Sequence, residues 1–156
     1  MSVEDNAHKL VGFAASVASG ARQELCRDHP QLRTAARIEH WDFFVTALLI
    51  WTAYSRIGLD VEESKRATVE SIVMRGVEDW NRQGTPAMED LTQFVLKMSQ
   101  DETDIDRKRS LTPLLGGMWV VWNLMEKQPS ESEAGLVSAI GELFVAKFGA
   151  FWRVEM

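Results

Sequence analysis

Cysteine is almost missing from this chain. Cys26 stands alone, so no internal disulfide can form. The core alone must hold the fold, and the shortage fits a reducing compartment. Positive charge is also short: 17 Lys and Arg stand against 23 Asp and Glu, a net charge of −6. Such a surface repels phosphate backbones, and non-specific nucleic-acid affinity is mostly electrostatic, so no DNA or RNA partner is expected. The one dense basic run, Arg107-Lys108-Arg109, follows the acidic run Asp101 to Asp106. The two are expected to offset each other on a solvated loop.

Long apolar runs are missing too. A membrane span needs about 20 apolar residues. Asp42 and Arg56 bound only 13 positions (43 to 55) of the most apolar stretch. Leu111 to Met125 is interrupted by Pro113, Gly116-Gly117 and Asn123. Near the N-terminus, Lys9 followed by LVGFAASVASGA has a secretory look, but Glu4 and Asp5 stand where a leader needs positive charge. A folded helix of a cytoplasmic protein is the expectation.

The motifs of familiar chemistry are absent. There is no phosphate-binding glycine loop, no Gly-x-Ser-x-Gly and no Cys-x-x-Cys pair. An EF-hand loop wants acids or Asn at its first, third and fifth positions and glycine at the sixth. Here those positions hold Asp101, Thr103, Ile105 and Asp106. A di-metal carboxylate bundle uses Glu-x-x-His on two helices. Three residues before His8, His29 and His40 stand Asp5, Cys26 and Arg37. Cys26-Arg27-Asp28-His29 supplies at best part of the four-ligand set of structural zinc. A lone buried thiol fits Cys26 better than a nucleophile activated by a neighbouring His or Arg. Neither a metal nor a cofactor is expected.

What is present is helical periodicity. A chain of 156 residues suits one domain, 1–156, and buries about two thirds of its unfolded surface. The organising stretch is Trp41 to Ile57, apolar all the way round, which must be surrounded by other helices. It is read as the second half of a central helix over about 31–57, stopped by Gly58. Before it, Val3, Ala7, Leu10, Ala14, Val17, Ala21 and Leu25 form one stripe, with Ser2 and Asp5 spaced as a capping box. A second row of small residues, Gly12, Ser16 and Gly20, points to tight packing against a neighbour. Pro30 ends this helix.

Asp60 is read as the cap of a third helix to about Gln83, ended by Gly84. Thr85-Pro86 then opens a short helix to about Gln100. Thr112-Pro113 is read as the next cap and first turn, unless the helix starts earlier and kinks at Pro113. Gly116-Gly117 inside that helix costs roughly 1 kcal/mol per glycine against alanine, which close approach to another helix would offset. Ser130 to Glu133 caps a last helix whose apolar face is Leu136, Val137, Ile140, Leu143, Phe144, Phe148, Phe151 and Trp152. The expected fold class is all-α, a compact bundle of about six helices around the buried helix 31–57. Trp51, Trp119 and Phe144 are expected at its centre.

Two groups of residues carry functional expectations. Arg37, Glu39, His40 and Asp42 form the one polar cluster beside the central stretch, either a capping layer or an acid/base or metal-binding group. Trp80, Phe148, Phe151 and Trp152 lie near helix ends, where they either cover the core or face a partner. An acidic helical domain without a catalytic constellation reads first as a protein–protein interaction or regulatory module, binding a partner protein or its own copy as a homo-oligomer. The alternatives are a binder of an apolar small molecule between Met- and Trp-rich helices, and an enzyme using Glu39, His40 and Asp42. They differ in what they require: a surface apolar patch, an enclosed apolar cavity, or a cleft on which His40 and a carboxylate converge.

Overall fold

A computed structural model describes residues 2–153, and residue 1 and residues 154–156 of the expected 1–156 unit lie outside it. The described chain is all-α, with no strand. Six helices of 15 residues or more carry it: α1 Val3–Asp28, α2 Trp41–Ser55, α4 Arg66–Trp80, α5 Gly84–Met98, α6 Ile105–Met125 and α7 Ala134–Phe148. A one-turn helix, α3 Ile57–Asp60, and five 3-10 turns join them.

The central helix is shorter than its sequence suggests. It starts at Trp41, not near residue 31. Pro30–Thr34 is a 3-10 turn, and Ala35 is extended with ψ 139°. The Arg37 N–H donates to the Leu124 carbonyl at the end of α6, 2.7 Å away, instead of to a helical partner. From Trp41 onward the all-round apolar reading holds. Eleven of the 15 residues of α2 are buried. α1, α5, α6 and α7 pack around it. The buried hydroxyl of Thr52 donates back to the Leu48 carbonyl at 2.8 Å, so it leaves no unmet polar group.

The Ser2–Asp5 capping box opens α1 as expected, with the Asp5 N–H donating to the Ser2 hydroxyl at 3.1 Å. Other boundaries move. Gly58 lies inside α3 and does not stop α2. Asp60 caps nothing; its carboxylate takes two hydrogen bonds from Arg56, at 3.1 and 3.2 Å, and sits 3.6 Å from Arg153. Gly84 opens α5, because α4 has already ended at Trp80. The basic run lies on a helix and not a loop. Asp104 caps α6 by accepting from the Asp106 and Arg107 N–H groups, and the helix continues through Pro113.

The two glycine rows have opposite environments. A Cβ at Gly117 would lie 2.2 Å from the Val137 carbonyl oxygen, and one at Gly141 would lie 2.3 Å from that of Pro113. α6 and α7 therefore touch backbone to backbone, the close approach that offsets the helix-interior glycines. Gly12 and Gly20, expected to be packed tightly, have nothing within 4 Å of such an atom, and with Ser16 they face solvent. The buried side of α1 is Ala7, Leu10, Ala14, Ala18 and Leu25.

Trp119 and Phe144 are buried near the centre, as is Trp51 to a slightly lesser degree, and Trp41 joins them. Four indoles tie elements together. Trp41 donates to the Ala18 carbonyl on α1 at 2.8 Å, and Trp51 to the Thr92 hydroxyl on α5 at 2.9 Å. Trp119 donates to Asp90 on α5 at 2.9 Å, and Trp152 to the Ala53 carbonyl on α2 at 2.6 Å. Large fillers with a polar edge thus give both burial and a directional link.

Candidate functional site

The polar cluster before α2 is solvated. Glu39, His40 and Asp42 are exposed and Arg37 is half-buried. His40 lies 3.7 Å from Glu39, with both side chains about half exposed or more. Arg37 turns away, with its guanidinium 5.0 Å from the centre of the Phe44 ring and 3.9 Å from Glu126. None of the four lines any of the hollows described below. Among the described residues, no three His, Cys, Asp or Glu side chains are grouped to hold a metal ion.

The aromatic group divides. Phe148, Phe151 and Trp152 are buried, at 0%, 3% and 8% exposure. Phe13 of α1 lies over them, with ring centroids 5.5 Å from Phe148 and 6.3 Å from Phe151. As placed, they close the core and offer a partner no face. Their position near a helix end suggests a thin core, but Phe13 of α1 packs on Phe148 and Phe151. Trp80 is half-buried and stacks on Phe43 at 5.5 Å.

A hollow of about 660 Å³ lies between the 3-10 turn 30–34, the end of α6 and the start of α7. Gln31, Thr34, Lys127, Ser132 and Glu133 make it polar. Glu133 is buried, and the Ser130 and Ser132 hydroxyls donate to its carboxylate. Those hydrogen bonds, aided by Lys127 at 3.8 Å, hold its carboxyl below the usual glutamate range, against the effect of burial. The ionised group sits at the N-cap of α7, where the helix dipole favours an anion. It is not the enclosed apolar cavity that a carrier of an apolar molecule would need.

Six large apolar side chains are well exposed among the described residues: Leu96 and Met98 on α5, Ile105 at the start of α6, and Leu59, Leu114 and Leu143, which border hollows beside the α6–α7 pair, where Pro113 meets Gly141. The first six residues of α6, Ile105 to Ser110, are all exposed. On one side of this arm lies a groove of about 230 Å³, with Trp51, Leu59, Pro113 and Val145 as apolar lining and Arg56 and Arg109 as its charged residues. On the other side, Pro113, Leu114 and Glu142 line a second groove of about 210 Å³. Glu142 also borders a third hollow, of about 370 Å³, with Glu24, Leu25, Asp28 and Leu143. Leu59, Leu114 and Leu143 are 60%, 39% and 48% exposed. The sequence does not announce this face. Helical spacing puts Leu143 on the buried side of its helix, and Leu59 and Arg109 fall outside the helices that the pattern marks.

No helix among the described residues is long and apolar enough to cross a membrane. No family model, curated protein or solved structure matches the chain.

Proposed function

We propose that this chain is a helical protein–protein interaction module whose docking face surrounds the α6–α7 crossing. The observation that supports this most is the set of exposed apolar side chains there, Leu59, Leu114 and Leu143, each lining a surface hollow. Isolated exposed apolar residues are ordinary, but several around one crossing are the mark of a contact surface. Groove size argues the same way. Small-molecule sites usually run from about 300 to 1,000 Å³ and enclose most of the ligand. The two grooves lined by Pro113, of about 230 and 210 Å³, are smaller, a fit for single side-chain anchors of a partner protein.

The test is a photo-crosslinking amino acid placed at Leu114, with one at exposed Glu78 on α4 as the control. In cells of the natural host, irradiation is expected to give discrete protein adducts from position 114 and not from 78. Adducts from neither site, or equally from both, would overturn the reading.

A further inference from the structure

Two surfaces that share α7, a groove between α6 and α7 and a hollow between α7 and the end of α1, differ in charge. The groove with Leu59 carries Arg56 and Arg109, and no carboxylate lines it among the described residues. The hollow with Leu143 carries Glu24, Asp28 and Glu142, and no cation among the described residues lines it. Some of these charges are already matched: Arg56 is held by Asp60, and Asp28 faces Arg27 at 3.6 Å. Arg109, Glu24 and Glu142 have no ion pair or side-chain hydrogen bond among the described residues. Each surface therefore offers an exposed leucine beside an unmatched charge, and the charges are of opposite sign.

Resting on the interaction-module reading, we infer that the partner is a second copy of this chain, paired through a two-fold axis at the α6–α7 crossing. The groove of Leu59 and Arg109 on one copy receives Leu143 and Glu142 of the other. A two-fold pairing is self-complementary: whatever contact runs from the first copy to the second also runs back. Because both surfaces draw on α7, with Val145 in the groove and Glu142 and Leu143 in the hollow, both contacts can form together in one pairing. A single head-to-tail contact would leave one groove and one acidic hollow open, and would propagate instead of closing. Complementary charge of this kind selects the partner and the register, while the leucines supply the apolar burial.

The pairing makes a distinctive demand on charge-reversal variants. In Arg109→Glu, every groove meets a like charge, and in Glu142→Arg every acidic hollow does. In a one-to-one mixture of the two variants, a mixed dimer contains two different contacts. In one, both charges are reversed, so opposite signs still meet. In the other, native Arg109 of one copy meets native Glu142 of the other. Both contacts are then satisfied. Analytical ultracentrifugation is expected to show a wild-type dimer that weakens with added salt, each variant weakened at least about tenfold, and the mixture restored close to wild type. Both positions are exposed, and a misfolded variant could not be rescued by mixing. A monomeric wild type, variants that dimerise as well as wild type, or a mixture that stays dissociated would each overturn the inference. If the wild type is monomeric while Leu114 still crosslinks to another protein, self-pairing falls and the interaction-module reading stands.

Discussion

Glu133 shows how much a single side chain can carry without being a catalytic group. It is a buried carboxylate at a helix N-cap, held by two serine hydroxyls with a lysine nearby. Its folded-state acidity is stronger than the usual glutamate value near 4.5. A carboxyl with a depressed folded pKa stabilises the native state above its unfolded pKa, and that contribution disappears as pH falls through the folded value. Glu133→Gln is therefore expected to lower the melting temperature at neutral pH. The gap from wild type should hold down to about pH 5 and close in more acid solution. Melting curves across that range check it, and a gap that stays constant into strong acid would mean the loss comes from packing and not from charge. The sequence does mark this segment: Ser130 to Glu133 reads as a helix start. It does not show that the glutamate, and not the serine, sits at the cap of α7, because the extra 3-10 turn Glu131–Glu133 shifts the helix by a turn.

At the scale of elements, periodicity is legible in the sequence and contact is not. The stripe of α1 follows from spacing alone, and so does that of α7 apart from exposed Leu143, since a helix can bury only one face against a neighbour. The break at Ala35 to Arg37 depends on a backbone bond to Leu124, far along the chain, and no local pattern encodes it. The glycines make the same point. Gly12 and Gly20 share the helical spacing of small residues that suggests close packing, yet Gly117 and Gly141 are the ones pressed against a facing backbone. The substitution that separates them is alanine. At Gly117 or Gly141 a Cβ would press on a backbone carbonyl, which cannot swing aside, so about 1–3 kcal/mol of stability should be lost. At Gly12 or Gly20 the added methyl meets open space on a regular helix, and about 0.5–1 kcal/mol should be gained. Urea denaturation of the four variants checks the signs. A stabilised Gly117→Ala would contradict the backbone contact that positions the α6 arm, and with it the grooves on either side.

For the whole molecule, the question is what makes elements from distant parts of the chain unfold together. Among the described residues, the buried apolar side chains other than Leu115 form one contiguous cluster from Ala7 to Trp152. Trp152 is a link between its extremes, because it lies 99 positions from Ala53 in sequence and donates to that carbonyl across the core. The all-α class and the buried centre are readable from composition and pattern. This closure is not, since an aromatic near the end of a chain looks the same whether it faces inward or outward. Trp152→Phe keeps most of the burial and removes the N–H. The Ala53 carbonyl still accepts from the Arg56 N–H at 3.1 Å, so it is not stranded, and only about 0.5–1.5 kcal/mol should be lost. Trp152→Ala empties the site beside Phe151 and should cost about 3–5 kcal/mol. If the closure is cooperative, both variants lower the denaturation midpoint with the slope unchanged, and fluorescence and circular dichroism trace the same transition. Separate transitions would instead mark the turn Phe151–Arg153 as a flap that opens on its own. Trp51 and Val145, which line the Arg109 groove, would then belong to a surface that is not rigid enough to pair with a second copy.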